Sequence, residues 1–109
     1  MFSHIIELTA KPGQAKLLVS ALRARAIPEV IKKAEGFIDQ IVLISATDPD
    51  HVTAISFWKS QESGDRFFQH GFSEVSAITA PYLNAKPKSR ECSVATSTND
   101  RIRSSEDQA

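Results

Sequence analysis

The sequence predicts an α+β domain in which four strands and two helical stretches follow the order βαββαβ. Apolar residues alternate along residues 2–9, recur with a helical period along residues 14–34, and alternate again within residues 37–58. The chain has 109 residues, of which 41% are hydrophobic. It is therefore long enough for one domain with its own core and too short for two.

The first strand is predicted at residues 2–9 and is followed by a turn and a helical stretch. One face of the strand carries Phe2, His4, Ile6 and Leu8. The sequence KPGQ breaks the alternation, and the helical period begins at Gln14. Pro28 lacks an N–H and disfavours helical geometry in the residue before it, so this stretch is predicted to be one kinked helix or two consecutive ones.

Residues 37–46 and 51–58 are predicted to form a β-hairpin around the turn sequence TDPD. Simple alternation predicts two apolar faces for the first of these strands, with Phe37, Ile41 and Leu43 on one face and Ile38, Val42 and Ile44 on the other. The outer face of a sheet in a lone two-layer domain is normally polar. We therefore expect a homodimer through the open face of the sheet, because a monomer would expose a large apolar patch.

A second helix and a weak last strand complete the domain. Ser60 is a good N-cap for this helix, which Pro81 is expected to end, and the strand is predicted at residues 89–96. Two helices packed on one face of a four-stranded antiparallel sheet make a ferredoxin-like sandwich. The domain is assigned to residues 1–96, and residues 97–109, which have almost no apolar content, are predicted to be a disordered tail.

Charge and composition exclude several classes of function. Lysine plus arginine and aspartate plus glutamate number 13 each, so no basic surface indicates a nucleic-acid partner. No apolar stretch is long enough to span a bilayer, and no secretory signal is visible. The single cysteine, Cys92, cannot form an intramolecular disulfide. We expect a cytoplasmic protein without nucleic-acid or membrane partners.

Two stretches of this sequence resemble antibiotic biosynthesis monooxygenase (ABM) domains. ELTAKPGQAKLL resembles the opening of these domains, and EGFIDQIVLISATDPDHVTAISFWKS resembles their second strand, hairpin and third strand ending in tryptophan. The resemblance spans residues 2–96 and implies a dimeric α+β barrel with a pocket between the sheet and the helices of each subunit. Similar proteins include oxygenases of aromatic polyketides and quinols, which need no cofactor because the substrate itself reduces oxygen. Others degrade haem or have no known activity.

The same resemblance argues against haem degradation. The positions at which haem-degrading relatives carry asparagine, tryptophan and histidine fall at Ile6, Phe67 and Ser76, and none matches. Quinol-oxygenase-like relatives often carry a histidine that also falls at Phe67. No cofactor is expected, and no metal either, because the three histidines lack the spacing of metal ligands.

The candidate site residues lie mainly in FWKSQESGDRFFQHGF, residues 57–72. The candidate proton-transfer groups are His70, about one helical turn beyond Phe67, and His4 on the first strand. A surface histidine and a strand-edge histidine are the competing interpretations. The candidate substrate contacts are Trp58, Phe67, Phe68, Phe72 and Tyr82. Each is by default a core residue.

The leading functional hypothesis is a cofactor-independent monooxygenase acting on a small aromatic, phenolic or quinol compound. One alternative is a non-catalytic ligand-binding or dimerisation module, and another is a non-oxidative isomerase or cyclase of the same fold. An open apolar pocket reached by His70, His4 or Tyr82 would favour an enzyme. A filled interior would favour a module.

Overall fold

The computed structural model describes residues 1–97 and confirms the ferredoxin-like sheet. Its strands are β1 (Phe2–Thr9), β2 (Phe37–Ile44), β3 (His51–Trp58) and β4 (Lys88–Ser93). All neighbours pair antiparallel in the order β2-β3-β1-β4. Strands β2 and β4 end earlier than the sequence predicted. The predicted tail lies outside the described residues except for Ser97.

Both predicted helices are interrupted. The helical elements are α1 (Ala15–Ala21), a π-helical segment (Leu22–Ile31), α2 (Gln61–His70), α3 (Phe72–Thr79) and a 3-10 turn (Ala80–Tyr82). Ser60 caps α2 as predicted, because its hydroxyl accepts from the Ser63 N–H at 3.1 Å. None of the helices within residues 1–97 is long and apolar enough to cross a membrane. The cytoplasmic location stays a prediction.

The first helical stretch continues beyond α1 with the wider turns of a π-helix. Pro28 has no N–H to donate, and at the end of the segment the Lys32 N–H donates to the carbonyl of Ile27 at 2.8 Å, five residues back. The wider turn directs Leu22, Ala26 and Ile31 into the core, where all three are buried. Their spacing of four and then five residues follows a π-helix rather than an α-helix.

Trp58, at the end of β3, lies at the centre of the core and is fully buried. Its ring stacks on Phe67 of α2, with centroids 5.0 Å apart, and meets the ring of Phe37 edge-on at 5.6 Å. Its indole Nε1 donates to the Ser56 hydroxyl at 3.0 Å, which satisfies the one polar atom of this side chain. Trp58 thus joins β2, β3 and α2.

A β-bulge at the start of β2 changes which side chains face the helices. Phe37 pairs with Trp58, but the next pair is Asp39 with Phe57, so Ile38 is an extra residue. Because side chains alternate with a period of two, one extra residue reverses the faces. The prediction that Phe37 shares a face with Ile41 was therefore wrong, and Phe37 lies on the inner face toward the helices.

The open face of the sheet is largely apolar. Its apolar residues are Ile5, Ile41, Leu43, Ile55 and Phe57. Ile41 and Leu43 remain 37% and 48% exposed. Beside them Glu7 accepts a hydrogen bond from the Thr53 hydroxyl at 2.8 Å and pairs with His51. The bond from Thr53 lowers the pKa of the Glu7 carboxyl. The homodimer stays a prediction.

We expect Gly64→Ala to destabilise the protein. A Cβ at Gly64 would lie 2.9 Å from Cδ2 of Phe2 and 3.2 Å from Cδ2 of His4, so α2 would be pushed away from β1. The free energy of unfolding is expected to fall by about 1–3 kcal/mol because of this overpacking. The loss is expected even though alanine has a higher helix propensity than glycine. Urea denaturation followed by circular dichroism measures it. Gln69→Ala, exposed on the same helix, should change little, and a stabilised Gly64→Ala protein would contradict the close packing.

Candidate active site

A cavity of about 140 Å³ lies between the inner face of the sheet and helices α2 and α3. The sheet contributes Ile6, Leu8, Gln40, Ala54 and Ser56, and the two helices contribute chiefly Phe67, Phe68, Phe72 and Val75. The family resemblance implied a pocket in this layer. The rings of Phe68 and Phe72 stack on each other with centroids 4.7 Å apart, so this side of the cavity has an aromatic wall.

No described residue that lines the cavity has a titratable side chain. Its polar lining consists of Gln40, Ser56, Ser76 and Thr79. The Thr79 hydroxyl donates to the carbonyl of Val75 at 3.0 Å, so it serves its own helix. The cavity is therefore apolar and uncharged, and its polar groups on the sheet side are Gln40 and Ser56.

These two residues belong to a polar row that crosses the inner face of the sheet. The register pairs Gln40 of β2 with Ser56 of β3, Ser56 with His4 of β1, and His4 with Glu91 of β4. Directly paired residues of an antiparallel sheet lie on the same face, about 5 Å apart. Ser56 therefore lies between Gln40 and His4. The Oε1 atom of Gln40 is buried without a hydrogen-bond partner.

His4 is 1% exposed, and neither of its ring nitrogens has a hydrogen-bond partner. Its ring stacks on Phe68, with centroids 3.7 Å apart, so Phe68 has His4 on one face and belongs to the cavity wall. Burial lowers the pKa of His4 below its usual 6.5, while the Glu91 and Asp65 carboxylates act in the opposite direction. His4 is therefore neutral at pH 7 and adjoins the cavity without lining it.

His70 does not reach the cavity, contrary to the expectation from the sequence. It is exposed and lines a separate groove of about 300 Å³ between α2 and the π-helical segment. Phe67 lines both the cavity and this groove and so stands between His70 and the cavity. Residues three apart on an α-helix are offset by about 60° around the helix axis. Here the difference directs the imidazole outward.

The aromatic candidates divide into two groups. Phe67, Phe68 and Phe72 line the cavity. Trp58 lies behind Phe67 in the core, and Tyr82 is half-buried at the end of the 3-10 turn. Neither Trp58 nor Tyr82 lines the cavity, so the structure brings three of the five predicted contacts together.

Sequence reasoning missed Gln40 and Ser56. Both are polar residues within strands that are otherwise largely apolar. Their common face depends on the bulge at Ile38, because only the altered alternation directs Gln40 toward the helices. A glutamine on the inner face of an apolar strand would have been a signal once the bulge was known.

One group of three side chains within residues 1–97 could hold a cation. The ligand atoms of His4, Asp65 and Glu91 lie within 4.8 Å of one another, and Nδ1 of His4 is 4.0 Å from Oε1 of Glu91. Ligand atoms around a tetrahedral zinc ion are about 3.3 Å apart. These side chains would have to close around an ion, and the expected absence of a metal stays a prediction.

Comparison with known proteins identifies the family. The family model described as antibiotic biosynthesis monooxygenase matches residues 1–74, which extend from β1 into α3. The chain belongs to the ABM family. The matched region contains most of the cavity lining, including the aromatic wall and the Gln40–Ser56 pair. No curated protein matches the chain.

Solved structures share the ABM fold at low sequence identity. A protein from Chloroflexus aurantiacus named for the same family is 23% identical with a TM-score of 0.65, covering 84% of this chain and 89% of that one. A variant of SnoaB, a cofactor-independent oxygenase from Streptomyces nogalater, is 15% identical with a TM-score of 0.70, covering 91% and 97%. A protein of unknown function from Nitrosomonas europaea is 16% identical with a TM-score of 0.72, covering 90% and 92%. These likenesses show the fold alone.

We expect the buried His4 to make the stability of the protein fall as pH decreases below about 7. The pKa of His4 is lowered in the folded state from 6.5, so the unfolded chain binds the proton more readily. Stability should therefore fall as pH decreases through the unfolded value. Urea denaturation of the natural protein and of His4→Gln above and below this pH measures the difference. Parallel curves for the two proteins would contradict this effect of burial, because the two proteins differ only at residue 4.

Proposed function

We propose that this ABM-family protein is a cofactor-independent monooxygenase of a small phenolic or quinol compound. The observation that carries the proposal is an apolar, uncharged cavity with an aromatic wall and a polar sheet side, in a chain of this family. Phe67, Phe68 and Phe72 are proposed to contact the substrate ring.

The reaction needs no reductant other than the substrate. The phenol loses its O–H proton, and the resulting anion shares its charge with a ring carbon. That carbon forms a bond to one atom of O₂, and the proton taken from the phenol returns to the resulting peroxide anion. The hydroperoxide then loses water to leave a carbonyl. One oxygen atom enters the quinone, the other leaves as water, and the substrate supplies every electron. The protein's part is to bind the ring, exclude water and accept the proton.

His4 is the proposed proton acceptor. It adjoins the cavity beside Ser56 in the polar row without lining it, so the proton is proposed to reach it through the Ser56 hydroxyl. Burial keeps its imidazole in the neutral form that can accept a proton. Desolvation also makes it a weaker base, because the imidazolium is poorly solvated there. Glu91 and Asp65 offset part of this cost, because their carboxylates favour the charged imidazole.

A non-catalytic ligand-binding module is the second candidate. The absence of a titratable side chain among the described residues of the cavity lining favours it. It predicts that phenols bind without consumption of oxygen, so one experiment separates the two candidates.

We expect the purified protein to consume oxygen with a quinol or electron-rich phenol, with neither flavin nor metal added. One O₂ should disappear for each quinone formed, as measured with an oxygen electrode and by absorbance, against heat-denatured protein to subtract autoxidation. His4→Gln should lower turnover by about a hundredfold or more, while His70→Ala, altered in the outer groove, should retain it. Full turnover in His4→Gln would remove His4 from the mechanism, and ligand binding without oxygen uptake would favour the module.

The homodimer is proposed to form through the open face of the sheet. Ile41 and Leu43 of β2 expose apolar side chains there, and Ile5, Ile55 and Phe57 continue the surface across β3 and β1. Covering this surface with a second copy would remove apolar area from water on both protomers.

We expect Leu43→Lys to convert the dimer to a monomer, because it would bury an unpaired charge at the interface. Leu17→Lys is the matched control: Leu17 is 54% exposed, close to the 48% of Leu43, but lies on α1 away from the sheet. Sedimentation velocity at micromolar concentration gives the mass of each protein. A monomeric natural protein, or a Leu43→Lys protein that stays dimeric, would refute the interface.

A further inference from the structure

We propose that Gln40 and Ser56 form a hydroxyl-binding subsite that restricts the cavity to a single aromatic ring carrying a phenolic hydroxyl. This inference rests on the proposed function, since it treats the same cavity as the substrate site. It assigns recognition of the hydroxyl to these two side chains and the size of the ring to the volume of the cavity.

The acceptor of the subsite is Gln40. Its Oε1 atom is buried and has no hydrogen-bond partner, although Gln40 lines the cavity. A buried carbonyl oxygen without a donor destabilises the empty protein, because water no longer solvates it. Because Gln40 lines the cavity, a rotation of its amide would present this oxygen to a ligand. A ligand that supplies the donor would then recover this free energy on binding, whereas a ligand without a donor would leave the oxygen unpaired.

The donor of the subsite is Ser56, which is directly paired with Gln40 on the same face of the sheet. Its oxygen accepts from Nε1 of Trp58 at 3.0 Å, and its own proton can be donated to a ligand. An acceptor and a donor side by side match a hydroxyl group, which both donates and accepts. A carboxylate offers no donor and would bring a charge into an uncharged cavity.

The size of the cavity limits the ligand to one ring. Its volume is about 140 Å³, close to the roughly 150 Å³ of an engineered protein cavity that binds benzene. Phe67, Phe68 and Phe72 give it an aromatic wall, against which an aromatic ligand ring can pack. A second fused ring would require these side chains to move, so we expect naphthol to bind more weakly than phenol.

The test compares phenol with toluene, in which a methyl group replaces the hydroxyl. Both are titrated anaerobically into the full-length protein and followed by isothermal calorimetry and by the indole N–H signal in nitrogen-15 NMR spectra. Trp58 is the only tryptophan, and its N–H is bonded to Ser56, so a hydroxyl at Ser56 should shift this single signal. We expect phenol to bind at least about tenfold more tightly than toluene.

Gln40→Met tests the acceptor directly. Methionine keeps the length of the side chain and removes the amide, so the advantage of phenol over toluene should fall to nearly onefold. The midpoint of urea denaturation of the empty protein should rise, because the unpaired oxygen is gone. Ser76→Ala, which removes another hydroxyl from the cavity lining, is the matched control and should keep the preference for phenol.

Equal affinity for phenol and toluene would overturn the inference, and so would a preference that survives Gln40→Met. Naphthol binding as tightly as phenol would overturn the one-ring limit, and no binding of any probe at millimolar concentration would overturn the subsite altogether. Selective phenol binding without oxygen uptake would keep the subsite and refute the enzyme. Oxygen uptake without discrimination between phenol and toluene would do the opposite.

Discussion

The hydrogen bond from the Trp58 indole to Ser56 is the interaction on which the arrangement of this core depends. A fully buried indole needs an acceptor, and Ser56 provides it from two residues away on the same strand face. The bond fixes the Ser56 side chain beside Gln40 and His4. It also fixes the ring that Phe67 stacks on. This one hydrogen bond therefore helps to position the polar row of the sheet, the helix that carries Phe67 and the wall of the cavity.

The strands could be predicted from sequence because alternation reports directly which residues are half-buried. The bounds of β1 and β3 agree with the structure, and so does the strand order that the ferredoxin-like plan requires. The bulge at Ile38 could not be predicted in the same way. The apolar pattern of the sequence does not mark Ile38 as an extra residue. The bulge is visible only in the strand pairing, where Phe37 pairs with Trp58 and Asp39 with Phe57. The π-helical segment was equally hidden, because Pro28 predicts an interruption without saying what form it takes.

The aromatic half of the site was predictable and the polar half was not. Phe67, Phe68 and Phe72 lie close together in the sequence of a helical stretch that packs on the sheet. They were therefore reasonable candidates for the cavity lining. The expectation that His70 reaches the cavity was wrong, because its distance from Phe67 along the sequence does not fix the direction of its side chain. His70 lines the outer groove instead. Gln40 and Ser56 come from different strands, and their meeting is a property of register. The family match assigns the chain to the ABM family, while the likeness to solved structures shows the fold and not an activity.

Because its lining is uncharged, the cavity favours ligands in their neutral form over the same ligands in their ionised form. A phenolate leaves its hydration shell at a large cost in free energy, and no cationic side chain within the described lining compensates it. For the phenolic ligand proposed above, the neutral form would therefore enter, and its proton would be removed only after the ligand had left water. In solutions more alkaline than the ligand's own pKa, fewer ligand molecules are in the form that can enter. Occupancy then follows the ionisation of the ligand in water, whatever the protein's own groups do.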